Sequence, residues 1–399
     1  MRIIVFQGQS QYDVLRDLSR LTAEGFREWG HEVFLCDMKI WNNTDYLDLV
    51  RDFKPDFTIG NNPVCYFYND RLHYEVTGVP HLVRIGDSPY YHIKDRSLRD
   101  PDHPLVHSLV SETTFHQQMD EIGVSNYTRV KSFCASNVFG ESPQSYRPYP
   151  IVFFGSISSP DEIIDSVRKN FTGQLQKLIL EFMTIIPEWM DDNQIFLPQP
   201  INQVFANFIN MEKLIAPETR VDFIKKVYPF IDRYYRNYTR SRALERFAQS
   251  GLPMFVFGND YTRAMLGKYQ NVRVLPPVPY RECLEIYAKS KFVLNITPMF
   301  FYAHERVSQS MMNGAVLCSS LMPDLIEEIP ELLEAAVFYT WGNIGEVTEV
   351  VGQLLNNESQ RLELAERGQQ LAKQYFTPRA YTGEVLNTYH NIFKAKESW

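Results

Sequence analysis

Along the first third of the chain, short apolar runs alternate with amphipathic stretches at close spacing. Arg2–Gly8, Glu32–Cys36, Phe57–Gly60, His81–Ile85, Leu105–Val110 and Thr128–Phe133 read as strands. Asp13–Trp29, closed by Gly30, then Thr44–Asp52, and Thr113–Ile122, closed by Gly123, read as helices. Strands alternating with helices predict a doubly wound α/β domain over residues 1–145. Prolines in Ser142–Pro150 then break the pattern, as an interdomain linker does. A second alternation runs over 150–375. Its strands are Ile151–Phe154, Met254–Phe257, Val272–Leu275, Phe292–Ile296, Ala315–Ser319 and Val337–Thr340. Its helices are Tyr280–Ser290, one opening near His304, Asp324–Ala335, Ile344–Asn356 and Glu358–Tyr375. Residues 161–250 depart from this rhythm. Helical patterns at Ile164–Trp189, Val204–Leu214, Arg220–Arg236 and Arg240–Ser250 predict a helical elaboration. The tail, 376–399, holds one more helix pattern, expected to pack back toward the N-terminal domain. The expected fold is α/β, with two doubly wound Rossmann-like domains.

In such sheets the loops after the strands bind ligands. In the first domain these loops are Gly8-Gln9-Ser10-Gln11, Gly60-Asn61-Asn62-Pro63 and Gly86-Asp87-Ser88-Pro89, although turns favour the same residue types for conformational reasons. In the second, Gly155-Ser156-Ile157-Ser158-Ser159-Pro160 is a small-residue loop whose backbone amides suit a phosphate. The helix opened by His304-Glu305 places Glu305 and Gln309 one turn apart on one face, with Arg306 on the adjacent one. A glutamate in a first turn serves the helix dipole, and a carboxylate and an amide at that spacing equally suit the two hydroxyls of a ribose. The stretch Asp232–Arg240 is dense in arginine and tyrosine, which reads either as an anion-binding face or as solvated charge.

Composition narrows the field. A chain of 399 residues with 44% apolar side chains has material for two cores. A formal net charge of -8 argues against a nucleic-acid binder acting through bulk charge. No run of eighteen apolar residues predicts a transmembrane helix, and the opening MRIIVFQGQ lacks the apolar length of a secretory signal, so a cytoplasmic protein is expected, with peripheral membrane association left open. Five scattered cysteines, odd in number, fit reduced thiols rather than a disulfide framework or zinc site. Neither the Gly-rich dinucleotide fingerprint after the first strand nor a phosphate-binding P-loop occurs, and His304-Glu305 lacks the second histidine of a zinc-protease helix. Asp191-Asp192, beside a turn, reads as solvated acids, and no metal is expected.

The order of elements in the second domain resembles the C-terminal domain of GT-B glycosyltransferases, in particular the CgeB-like group of the family-1-like proteins. The resemblance is carried by Phe153-Phe154-Gly155-Ser156, by Leu294-Asn295 at a strand end, and by His304-Glu305-Arg306-Val307-Ser308-Gln309 running up to Gly314. It covers about Ser241–Tyr375, and reaches the first domain by pattern and by Asp87-Ser88-Pro89. Where the family carries a second glutamate to hold the donor ribose, this chain has Gln309. The long helical segment before Met254 is also larger than the usual connection.

The resemblance implies metal-independent transfer of a sugar from a nucleotide-sugar donor to a glycan or glycolipid hydroxyl, in a cleft between the domains, with no cofactor beyond the donor. Cell-surface polysaccharide or glycoconjugate synthesis is the implied setting. Gly155, Ser156, Gly258, Asn259, Val278, Tyr280, His304, Glu305, Arg306 and Gln309 would meet the donor. Arg306 and one of Arg240 or Arg242 would offset the leaving-phosphate charge. Gln9, Ser10, Asn61 and Asn62 fall on the acceptor side. Inversion would use Asp87 as base, with His92 behind it; retention by double displacement would need Asp232 or Glu305. The alternatives are a non-catalytic nucleotide- or sugar-binding protein and a nucleotide-sugar epimerase.

Overall fold

Strand β1 (Arg2–Gln7) pairs in parallel with both β2 (Glu32–Asp37) and β3 (Phe57–Asn61), and the ladder continues through β4 (His81–Ile85), β5 (Val106–Val110) and β6 (Tyr127–Arg129). The sheet order is thus β2-β1-β3-β4-β5-β6, and its central strands β3, β4 and β5 are buried throughout, as strands covered on both faces are. A second parallel sheet is built from β7 (Tyr149–Phe154), β8 (Met254–Phe257), β9 (Val272–Leu275), β10 (Ser290–Asn295), β11 (Val316–Ser320) and β12 (Val337–Tyr339). Its order is β9-β8-β7-β10-β11-β12, the dinucleotide-fold order, which reverses between its first strand, β7, and its fourth, β10. The computed structural model describes residues 1–8, 10–62, 67–68, 71–92, 103–130, 135, 146–193, 201–209, 215–297 and 301–394. It divides into two units: Met1–Ser136 with Ala372–Trp399, and Asn137–Leu371.

In the first unit, helix α1 (Val14–Glu28) and the C-terminal helix Pro378–Tyr389 pack on the same apolar core, where Phe26, Phe57, Tyr381 and Tyr389 meet Ile3 and Val5. The Phe57 and Tyr389 rings stack at 4.5 Å. The two helices touch so closely that a Cβ on Gly25 would lie 2.3 Å from the Pro378 carbonyl oxygen. Arg379 lies over the Trp29 ring and donates to the Glu28 carbonyl, while Trp29 Nε1 donates to the Arg379 carbonyl (2.9 Å). Below the sheet, Thr58 Oγ1 stands between His73 Nε2 (3.1 Å) and His81 Nδ1 (2.8 Å), and both imidazoles are fully buried. The hydroxyl donates to one ring and accepts from the other, leaving His73 Nδ1 and His81 Nε2 without a partner.

The second unit departs from the expected helix boundaries in three places. The patterns Arg220–Arg236 and Arg240–Ser250 are one helix, Pro217–Gln249, because nothing between them breaks it: Thr239 returns its hydroxyl to the Tyr235 carbonyl (2.9 Å). Ile164–Trp189 is two helices, α2 (Pro160–Asn170) and α3 (Gly173–Asn193), separated where Phe171 turns extended and Gly173 takes a positive φ of 64°. Asp324–Ala335 divides at Ile329, which precedes a proline and cannot continue the helix. With α4 (Ile201–Phe208), the long helix is α5 in chain order for this unit. Phe182 packs on Phe205, and Phe171 on Phe230, so α2, α3 and α4 cover the first half of α5. Cys36, Cys283 and Cys318 are buried, and Cys65 and Cys134 lie outside the described residues.

Burial pushes His81 down to about 3, partly opposed by its bond to Thr58, and burial with the neighbouring His81 pushes His73 well down. The unfolded chain therefore takes up protons that the folded one refuses below the ordinary histidine value. Stability should be full above pH 6.5 and fall on acidification, by up to about 1.4 kcal/mol per pH unit for each histidine. Melting curves between pH 7 and 4 should show this slope, and His81→Asn, which retains a polar atom for Thr58, should flatten it. Gly25→Ala should cost about 1–3 kcal/mol in denaturant titration, because the backbone of the C-terminal helix cannot yield to the added methyl.

Candidate functional site

The loops at the carboxyl ends of β7 and β10 meet where the second sheet reverses its order, and one side chain joins them. Arg306, in the first turn of α6 (Glu305–Met312), donates from Nη2 to the Phe154 carbonyl (2.9 Å) and from Nη1 to Asn295 Oδ1 (3.0 Å). Asn295 is itself fixed, donating to Thr297 Oγ1 and Ser319 Oγ (2.9 Å each), while its carbonyl accepts from Tyr339 Oη (3.0 Å). Both of these Arg306 acceptors are neutral. They orient the guanidinium, only 8% exposed, without cancelling its charge, which falls partly on the Glu305 carboxylate.

His304 is the N-cap residue of α6, and its Nδ1 lies 2.9 Å from a Glu305 carboxylate oxygen. That contact requires Nδ1 to carry the proton, so its 3.4 Å approach to the Arg306 amide is not a hydrogen bond. Burial raises the Glu305 carboxyl, but the His304 bond and the Arg306 charge outweigh it and bring it down to about 2. Burial, opposed by Glu305 and reinforced by Arg306 and Arg240, lowers His304. We take the pair as a neutral imidazole donating to an ionised carboxylate. Glu305 retains 19% side-chain exposure, whereas Gln309 is fully buried and its carbonyl accepts from Asn313.

The remaining charge comes from α5. At about 1.5 Å per residue its 33 residues span about 50 Å, far more than the four-residue strand that follows it. Its second half packs Ala243, Leu244, Phe247 and Ala248 on the sheet core. Toward the middle of the helix the same stripe becomes polar: Arg233, Asn237 and Arg240. Asn237 Oδ1 accepts from the Ser158 amide (2.6 Å), and Arg233 Nη2 donates to Ser158 Oγ (3.1 Å). Arg240 feels Arg236, Arg306, Asp232 and Glu305; burial first, then the two arginines, lower it to about 9, so it remains charged at neutral pH. Its Nε is buried without a hydrogen-bond partner. Arg236 is paired to the fully buried Asp232 (2.6 Å). Three guanidiniums thus face two carboxylates.

Several residues named from the sequence lie elsewhere or are already engaged. Arg242 is turned outward, with 46% exposure, toward Glu245. Asp232 is sealed in its ion pair and positions an arginine instead of presenting a nucleophile. The Gly155 amide donates to the Phe257 carbonyl and the Ser158 amide to Asn237, so those two amides are not offered to a phosphate. A Cβ on Gly155 would meet the Phe153 ring, and one on Gly258 would meet Thr262. Ser156 is exposed in the same loop. Asn259 caps the next helix through Thr262 and donates to the Ile157 carbonyl (2.8 Å). Val278 lends its carbonyl to Cys283, and Tyr280 is buried.

In the first unit, Asn62 takes a left-handed φ of 57° and ties two loops together. Its Oδ1 accepts from the Gly86 amide (2.9 Å), and its Nδ2 donates to Asp87 (3.0 Å), which is exposed. Asn61 is buried between Ser19 and Arg84, and Ser10 Oγ accepts from the Leu15 amide at the start of α1. His92 is half-buried, and Gln9 lies outside the described residues. The sequence reading missed Asn237, Arg236 and the Asn295 network. Asn237 and Arg236 stood inside the arginine- and tyrosine-rich stretch, the only signal that marked them.

Residues 236–387 match a family model described as glycosyl transferase-like. Among curated proteins none matches. Solved structures similar in fold include an alpha-glucosyltransferase in complex with UDP and a 13-mer DNA containing an HMU base, at TM-score 0.56 and 11% identity over 97% of this chain and 99% of that one. Sucrose-phosphate synthase from Thermosynechococcus elongatus aligns at 0.53 and 9% identity over 99% of each chain. Anabaena HepE, in complex with UDP and glucose, aligns at 0.50 and 11% over 98% and 100%. At such identities the likeness to these structures is one of fold. The family match at residues 236–387 covers less than half of the chain, and the two parallel sheets together with these structural likenesses show that its fold is the GT-B fold.

Proposed function

We propose that the second unit binds a nucleotide-sugar donor with its diphosphate at Arg240 and Arg306, and that the leaving diphosphate is stabilised by these guanidiniums without a metal ion. The observation that carries this reading is Arg240: a charged side chain, pressed by two other arginines and with a buried nitrogen lacking a partner, is paid for by an anionic ligand. Glu305, ionised and partly exposed at the start of α6, is suited to accept hydrogen bonds from donor hydroxyls, with His304 fixing its orientation. Asp87, exposed and held by Asn62, is the proposed base for a glycan or glycolipid hydroxyl. Two of the similar folds were solved with UDP, which makes UDP the first nucleotide to test.

The two arginines should behave differently. Arg306→Ala strands a buried carbonyl and the Asn295 amide oxygen, and should cost about 3 kcal/mol or more in denaturant titration. Arg240→Met breaks no hydrogen bond and relieves repulsion, so its melting temperature should equal or exceed that of the wild type. Calorimetry should nevertheless show at least a tenfold loss of affinity for UDP, or for whichever nucleoside diphosphate binds. Unchanged affinity in Arg240→Met would sink the placement.

A further inference from the structure

We infer that Asn237 is a positioning residue for the donor phosphates: from α5 it holds the loop after β7 in a fixed place relative to Arg240, one turn further along the same helix. The inference rests on the donor site proposed above. Asn237 is 6% exposed and uses both ends of its amide, Oδ1 accepting from the Ser158 amide (2.6 Å) and Nδ2 donating to the Arg233 carbonyl (2.6 Å). The loop is gripped at the preceding residue from another helix, where Asn259 donates to the Ile157 carbonyl (2.8 Å), and Arg233 reaches Ser158 Oγ (3.1 Å). Asparagine is a poor residue for a helix interior, because its amide competes for backbone groups. Here the amide instead serves a loop far away in sequence. A helix is stiff over one turn, so the bond to Ser158 fixes the distance between the exposed Ser156 loop and the Arg240 charge before any ligand arrives.

The test measures binding of inorganic pyrophosphate and of UDP by calorimetry to the full chain, alongside its melting temperature without ligand. Asn237→Ala should weaken both ligands at least tenfold. Leu244→Ala, which loosens the packing of the same helix on the sheet core and removes no hydrogen bond to the loop, should lower the melting temperature yet bind within threefold of the wild type. If Asn237→Ala does not fold, Asn237→Ser, which keeps an oxygen on Cβ, takes its place with an intermediate loss expected. Wild-type affinity in the Asn237 variant, or an equal loss in Leu244→Ala, overturns the inference while leaving Arg240 in place. If the wild type binds neither ligand, the donor site itself falls and the inference with it.

Discussion

A guanidinium spans the point where the second sheet reverses direction, and much of that unit's chemistry depends on how it is held. Arg306 can reach the end of β7 and the end of β10 at once because its planar fork presents separate donors at a fixed spread. A lysine at that position has no such geometry. The acceptors are a peptide carbonyl and a side-chain amide, so the bonds orient the cation without cancelling it. That retained charge, behind the bond from His304, helps keep Glu305 ionised against burial and presses on Arg240. The polar side chains behind it, Asn295, Thr297 and Ser319, satisfy one another in the core.

The same balance explains the excess of positive charge. Asp232 compensates Arg236, and Glu305 is tied to His304, which leaves Arg240 as the group least compensated by the protein. Like charges gathered in a partly buried place are unfavourable in the empty protein; on the proposed reading a bound dianion would relieve them, and stability would be traded against affinity at one residue. In the first unit the exposed carboxylate Asp87 is held by a hydrogen bond from Asn62 on a neighbouring loop.

The strand-and-helix alternation was legible because strands covered on both faces are almost uninterrupted apolar sequence, as in Ile3–Phe6 and Phe292–Leu294. Gly30 and Gly123 were legible as helix stops because only a residue without Cβ enters a positive φ freely. The long helix was not: around Arg233–Arg240 its face turns polar between two apolar stretches, so the pattern reads as two helices although the backbone is one. The helix start at His304 and Glu305 was legible because its signals are local. Asn237, Arg236 and the engagement of Asn259 were not, since each depends on a partner that is distant in sequence or on a helix phase that only the fold defines. Gln309 stood out as a departure from a family pattern, but its burial could not be read from its identity.

The continuity of α5 constrains how this chain can change over evolutionary time. Successive residues in a helix are turned by 100°, so a single insertion or deletion between Asn237 and Leu244 would turn the polar stripe away from the loop while the apolar stripe stayed seated on the sheet. Length variation in this segment should therefore be confined to the first half of the helix and the turns before it, or come in steps near seven or eleven residues that restore the phase. The helix acts as a shaft with a keyed end: the covering helices can be rebuilt, but the angle at which it meets the sheet is inherited whole.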